Sequence, residues 1–144
     1  MKNLTLLTLS GILLAATVGL SAQDSKPAPK GDKPATAKNV KNVGVEDFDK
    51  LRAGPNTVVL DVRTPKEFSA GHIPGAVNID FNASDFQEKI KKLDPAKTYL
   101  VHCAGGVRSA KACNAMDKIA VTNLVNLEPG FRAWEKAGKL VEKK

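Results

Sequence analysis

One stretch, residues 99–110, constrains the fold of this chain more than any other. It opens as a short apolar run that ends at Cys103, continues through Gly105 and Gly106, and then becomes rich in helix formers. This order predicts a strand, a tight loop and a helix. Open α/β sheets carry their ligand sites at the C-terminal ends of the strands, so we expect Cys103 to lie at such an edge.

The loop after Cys103 has the composition of an anion-binding loop. Gly105 and Gly106 tolerate positive φ and close approach of backbone, which lets N–H groups turn toward an anion. The helix that follows adds the positive end of its dipole. Both effects favour the thiolate, the reactive form of cysteine. We therefore predict that Cys103 is a nucleophile for an anionic substrate; the alternative is a buried cysteine that only packs.

Composition narrows the class of protein. The 144 residues suit one domain. The formal charge is +7, but many of the lysines lie in the two tails and no aromatic pattern accompanies them, so we expect no nucleic-acid partner. Two cysteines do not make a disulfide framework. No His, Cys and Asp residues have the spacing of metal ligands, and we predict neither a metal nor a cofactor.

The N-terminus has the pattern of a secretory signal peptide. A lysine precedes the apolar stretch 4–20, and small residues ending at Ala22 follow it. We predict a signal peptide over 1–22 and a periplasmic or secreted protein without stable membrane insertion; an uncleaved membrane anchor is the alternative. Residues 23–39 are rich in Pro and Lys and have hardly any large apolar side chain, which predicts a disordered linker. The folded domain then spans 40–144.

Short apolar runs alternate with helical patterns along this domain. The predicted strands are 43–45, 57–62, 76–79, 98–102 and 123–127, and the predicted helices are 46–51, 65–70, 85–93, 109–119 and 131–137. Continuously apolar strands are typical of a parallel sheet that is buried on both faces. Their alternation with helices indicates a three-layer α/β domain. We expect the tail 139–144 to be solvated.

Three segments together carry a resemblance to a known family. They are the runs 61–63, 67–68 and 71–79, the loop 103–109, and the run 127–134. The combination resembles the single-domain rhodanese-like family of thiosulfate sulfurtransferases, which usually has Gly where this chain has Pro129. The resemblance implies about five parallel strands with helices on both faces of the sheet.

The resemblance also implies a chemistry for the loop. Cys103 matches the catalytic cysteine, which carries a persulfide from a small anionic sulfur donor to a thiol or cyanide acceptor. The residues that match the substrate-binding loop are Ala104, Gly105, Gly106, Val107, Arg108 and Ser109. Many members have Arg or another polar residue at the position of Ala104, so one candidate for holding a thiosulfate oxygen is missing here. We expect a monomeric thiosulfate sulfurtransferase.

We expect the other polar residues near the loop to hold its surroundings in place rather than to take part in the reaction. Asp61 and Arg63 follow a predicted strand at the sheet edge of Cys103, and Arg63 has the spacing of an ion pair with Glu67. We expect His72 to lock its turn rather than to act as a base. Because successive side chains on a strand point to opposite faces, His102 should pack away from the Cys103 sulfur.

Three further alternatives stay open at this point. Cys113 is interpreted as a buried structural cysteine, and its alternative role is that of a resolving cysteine. The loop would also suit a cysteine-dependent phosphatase or arsenate reductase. However, it has four residues between Cys103 and Arg108 where the phosphatase loop has five. The third alternative is a persulfide carrier of low activity, or a binding module.

Overall fold

A computed structural model describes residues 38–144. The predicted signal peptide and all but the last two residues of the predicted linker lie outside these residues and stay predictions. Strands and helices alternate along the described part in the order β1 (Val40–Val43), α1 (Val45–Arg52), β2 (Thr57–Asp61), α2 (Pro65–Ala70), β3 (Val77–Asn78), α3 (Phe86–Lys91), β4 (Thr98–His102), α4 (Val107–Asp117), β5 (Leu124–Leu127) and α5 (Gly130–Lys136).

The five strands form one parallel sheet in the order β1-β5-β4-β2-β3. The predicted α/β fold with a five-stranded parallel sheet is therefore confirmed. β2 and β4 are neighbours, and their register places Asp61 beside His102 at the C-terminal ends of the two strands. This adjacency brings the segments that follow β2 and β4 to one edge of the sheet.

Helices cover both faces of the sheet. Successive strand residues alternate between two cores, as the pleat requires. One core includes Leu60, Val101, Ile90 and Met116, and the other includes Val59, Leu100, Phe48 and Trp134. The first core joins the sheet to α3 and α4, and the second joins it to α1 and α5. The three-layer arrangement follows from these two cores.

Helix α2 begins where the sequence predicts. The Thr64 hydroxyl oxygen accepts the N–H of Glu67 at 3.3 Å, and a Glu67 carboxylate oxygen accepts the N–H of Thr64 at 3.0 Å. This reciprocal capping box satisfies two donors at the start of the helix, and Pro65 occupies the first helical position. The same capping bonds fix the Glu67 carboxylate, which takes part in the site described below.

Some element boundaries differ from the prediction. The first strand is 40–43 rather than 43–45, because it pairs with β5 from Val40 opposite Leu124, and Val45 already starts α1. Helix α4 starts at Val107, two residues before the predicted start. Within residues 38–144, no helix has the length and apolar character needed to cross a membrane.

The C-terminal tail is anchored, which corrects the expectation that it is only solvated. The backbone of Glu142 exchanges two hydrogen bonds with that of His72, at 2.8 and 2.9 Å. The indole N–H of Trp134 donates to the carbonyl of Leu140 at 2.8 Å. The Leu140 side chain is exposed, but Val141 packs against the second core and the Lys139 ammonium pairs with Asp49 at 3.0 Å, so both the backbone and the side chains of the tail bind the domain.

Candidate active site

Cys103 follows directly on β4 and faces the start of α4. Its sulfur accepts the N–H of Gly106 at 3.1 Å, and the hydroxyl of Ser109 lies 3.5 Å away. The same hydroxyl is 3.0 Å from the carbonyl oxygen of Gly106, so its proton is shared between two acceptors. The cysteine is only 2% exposed. The sulfur therefore lies inside a small cradle of donors at the N-terminus of a helix.

This cradle changes the acidity of the thiol. Burial is the largest single effect, and it acts to raise the pKa of Cys103. Hydrogen bonds from the Ser109 hydroxyl and from the N–H groups of Ser109, Gly105 and Gly106 act in the opposite direction and together outweigh it. The net result is a pKa of Cys103 below its ordinary value, because these donors stabilise the thiolate.

Of the two loop glycines, Gly106 has the special backbone conformation. Its φ is +89°, in the left-handed region that L side chains rarely adopt, and it forms the N-cap of α4. A Cβ at this position would overlap the carbonyl oxygen of Glu128. Gly105 faces open space, so a side chain there meets no such contact. The tight turn of the loop thus depends on Gly106.

The start of α5 holds the outer side of the loop. The N–H of Phe131 donates to the carbonyl of Cys103 at 2.7 Å, and that of Arg132 donates to the carbonyl of Ala104 at 3.1 Å. Gly130 has φ +71°, and a Cβ there would lie 2.6 Å from backbone atoms of Ala104 and Gly105. No local pattern in the sequence indicates these contacts with the loop, although Gly130 lies in the third segment of the resemblance.

Arg108 is held by Glu67, which corrects the predicted pair between Arg63 and Glu67. The Arg108 guanidinium donates two hydrogen bonds to the Glu67 carboxylate, at 2.8 and 2.9 Å. The bonds from Arg108 lower the pKa of Glu67 to about 2. The cation of the loop is thereby compensated by α2, a helix that follows β2.

Arg63 pairs with Asp61 rather than with Glu67. Its guanidinium reaches both carboxylate oxygens of Asp61, at 2.6 to 3.0 Å, and also donates to the carbonyl of Gly71 at 2.7 Å. Arg63 is buried, and its guanidinium lies 3.9 Å from the centre of the Phe131 ring. The predicted supporting residues therefore brace Phe131, whose N–H holds the carbonyl of Cys103.

The two histidines are structural in this arrangement. His72 is buried, stacks on Phe68, and donates from Nδ1 to the carbonyl of Phe68 at 2.9 Å, so it locks its turn as predicted. His102 is fully buried between Phe48 and Phe131. Burial is the main reason that the pKa of His102 falls to about 4, and the ring is neutral at pH 7.

Cys113 lies in the core that includes Cys103, on helix α4. It is fully buried, and burial raises its pKa to about 12. A thiol in this environment stays protonated, which favours the structural interpretation over a resolving role. Within residues 38–144, no three His, Cys, Asp or Glu side chains gather as a metal ion requires.

A pocket of about 250 Å³ opens beside the loop. Its lining residues are Arg63, Glu67, Ala70, Gly71, Ala104, Phe131, Arg132 and Glu135. Ala104 is half-buried in its wall, whereas the Val107 side chain is 58% exposed on the outside of the loop. The structure thus brings Ala104–Ser109 together around Cys103 and places the Asp61–Arg63 pair next to them.

Comparison with known proteins places these features in context. The family profile described as "Rhodanese-like domain" matches residues 44–137. The putative sulfurtransferase YtwF of Bacillus subtilis (strain 168) is 37% identical over 87 residues, which cover 60% of this chain and 82% of YtwF. The thiosulfate:glutathione sulfurtransferase of Saccharomyces cerevisiae is 30% identical over 110 residues, covering 65% of this chain and 78% of that protein.

A solved structure shows the same likeness in three dimensions. The crystal structure of a rhodanese-related protein from Thermoplasma volcanium superposes with a TM-score of 0.65 at 33% sequence identity. The match covers 72% of this chain and 99% of that one. The fold is therefore shared over the whole length of that neighbour.

Proposed function

This chain belongs to the rhodanese-like domain family, and from that premise we propose that it is a sulfurtransferase in which Cys103 carries sulfane sulfur as a persulfide. Sulfur transfer in general is supported by the family and by the relatives that are named sulfurtransferases. The finer proposal is that thiosulfate, or another small anionic donor, supplies the sulfur and that a thiol or cyanide accepts it.

The observation that carries the proposal is the donor cradle around the Cys103 sulfur. The N–H of Gly106 is 3.1 Å from that sulfur, and the Ser109 hydroxyl is 3.5 Å from it. Such donors stabilise negative charge on the thiolate before the reaction and on the persulfide after it. They also act without reorganisation, because α4 and α5 hold the backbone on both sides of the loop.

The proposed first half-reaction is a displacement at sulfur. The Cys103 thiolate attacks the outer sulfur of thiosulfate. A new S–S bond forms between them, and the S–S bond that joins the outer sulfur to the sulfite group breaks. Sulfite leaves with the electron pair, and Cys103 is left as the persulfide anion. In the second half-reaction, an acceptor thiolate or cyanide attacks the outer sulfur and releases the Cys103 thiolate, as in covalent catalysis by two displacements. No external oxidant or reductant is consumed.

The geometry gives less support to phosphoryl transfer. In a four-residue ring the N–H groups converge near the cysteine sulfur itself, where a sulfane sulfur would sit. A phosphoryl group needs room for three equatorial oxygens and a cation beside them. Arg108, the loop cation, is instead bound to the Glu67 carboxylate. We therefore expect no measurable hydrolysis of aryl phosphates.

The decisive experiment is mass spectrometry of the purified protein after treatment with thiosulfate. We expect one added sulfur on Cys103, which cyanide removes as thiocyanate. The Cys103→Ser variant keeps the size of the side chain but cannot form a persulfide, so it should fold and be inactive. Thiocyanate formation by the folded variant would contradict the assignment of Cys103. Aryl phosphate hydrolysis that is lost in Cys103→Ser would favour the phosphatase instead.

We further propose that the protein works in the periplasm or outside the cell. The support is the order of a lysine, the apolar stretch 4–20 and the small residues that end at Ala22.

A further inference from the structure

Most of the charges in the pocket beside the loop are already compensated. Arg63 is tied to both oxygens of Asp61, and Glu67 is tied to Arg108 by two hydrogen bonds. Each pair is neutral as a unit and is fixed by several bonds. Neither pair therefore offers a free charge to a ligand.

Arg132 and Glu135 are the other two charged residues of the pocket wall. Both are exposed, and neither forms an ion pair within 4.0 Å in the described part of the chain. They are three residues apart on α5, so their side chains occupy neighbouring positions on one side of the helix. The pocket thus presents one free guanidinium and one free carboxylate, which together match a zwitterion.

We propose that this pocket binds the α-amino-acid group of a small thiol acceptor, with the ligand's carboxylate on Arg132 and its ammonium on Glu135. The inference rests on the proposed function, because it names the acceptor of the Cys103 persulfide. Guanidinium–carboxylate pairing is among the strongest hydrogen-bonded contacts in proteins. A volume of about 250 Å³ lies just below the range of about 300–1,000 Å³ that is typical of small-molecule pockets.

The position of the pocket suits an acceptor. Ala104 lies in its wall and directly follows Cys103 in the chain. The N–H of Arg132 donates to the carbonyl of Ala104, so the helix that carries the two free charges is joined to the loop. The side chain of Ala104 is a single methyl group, so it takes up little of the pocket beside the loop. A thiol anchored by its amino-acid group therefore has its sulfur next to the loop.

The transfer from this site is balanced without a further reactant. The acceptor thiol gives its proton to solvent, and its thiolate attacks the outer sulfur of the Cys103 persulfide. The S–S bond to Cys103 breaks, Cys103 takes the electron pair as a thiolate, and the acceptor leaves as its own persulfide.

The test compares three acceptors that differ only in the groups at issue. Cysteine has both the carboxylate and the ammonium, 3-mercaptopropionate lacks the ammonium, and cysteamine lacks the carboxylate. We expect Arg132→Gln to raise KM about tenfold for cysteine and 3-mercaptopropionate, but not for cysteamine or cyanide. Glu135→Gln should raise KM for cysteine and cysteamine, but not for 3-mercaptopropionate. For each acceptor, the KM of the variant is divided by the KM of the parent protein, so that the intrinsic reactivity of the thiol cancels.

Lys136→Gln is the matched control, since it removes one exposed charge from the same helix outside the pocket wall. The inference would be overturned if the KM ratio were the same for all acceptors, or if Lys136→Gln changed KM as much as Arg132→Gln does. Binding of S-methylcysteine, which cannot accept sulfur, is then measured by calorimetry. Weaker binding to Arg132→Gln than to the control supports the pocket even if no persulfide forms on Cys103. Equal binding, or none to the parent protein, refutes it.

Discussion

The contact between Gly130 and the Cys103 loop tests how that loop is held. Gly130 has φ +71°, and a Cβ there would lie 2.6 Å from backbone atoms of Ala104 and Gly105. Backbone atoms cannot swing aside as a side chain does, so Gly130→Ala must displace the loop or α5. Gly138 provides a matched control, because its φ is +70° and a Cβ there meets no atom within 4 Å.

Both variants place alanine in a left-handed backbone conformation, but only Gly130→Ala also forces an extra carbon against packed atoms. A left-handed backbone costs an L residue about 1–2 kcal/mol, and both alanines incur that cost. Forcing an extra carbon into packed structure adds about 1–3 kcal/mol, and Gly130→Ala alone incurs it. We therefore expect the free energy of unfolding to fall by about 2–5 kcal/mol in Gly130→Ala and by about 1–2 kcal/mol in Gly138→Ala. The whole free energy of unfolding of such a domain is about 5–15 kcal/mol.

Urea denaturation measures the stability term, and the rate of thiocyanate formation from thiosulfate and cyanide measures the effect on the loop. Misplacement of a reacting group by about 1 Å can reduce activity about a hundredfold. We expect such a reduction in Gly130→Ala, measured where it is still folded, and near-parental activity in Gly138→Ala. If both variants have the same stability and the same rate, α5 does not hold the loop through this contact.

Three further predictions concern charge, acidity and processing. Arg108 lowers the pKa of Glu67 to about 2 from 4.5, so their pair stabilises the fold above pH 4.5 and loses this effect as pH falls toward 2. Because the Glu67 side chain is 35% exposed, Glu67→Gln should lose only about 0.5–1 kcal/mol at pH 7 by urea denaturation, and the difference should vanish near pH 2. Ser109→Ala removes a donor that lowers the pKa of Cys103, so the pH profile of sulfur transfer should move to higher pH; an unchanged profile would exclude this hydroxyl as a contributor. N-terminal sequencing of the protein from its native cells should begin just after Ala22, whereas a chain that still begins at Met1 would indicate an uncleaved anchor.

The sequence by itself determined those features that neighbouring residues decide among themselves. Thr64 and Glu67 lie three residues apart, so their reciprocal cap and the start of α2 at Pro65 could be predicted from residue type alone. The strand 98–102 and the loop after it also follow from an apolar run that ends in Cys103 and two glycines. Even so, spacing does not distinguish Gly105, which faces open space, from Gly106, which fits against Glu128.

Only the tertiary structure decided which distant groups meet. Glu67 is spaced for an ion pair with Arg63, yet it binds Arg108, which lies 41 residues further along the chain. The reason is that β2 and β4 are neighbours in the sheet, so the helices that follow them approach each other at one edge. The strand order of the sheet likewise brings Gly130 against the loop and places Arg132 in the wall of the adjoining pocket. Rules based on spacing compare only residues within about one helical turn of each other. These contacts depend instead on how separate strands and helices pack.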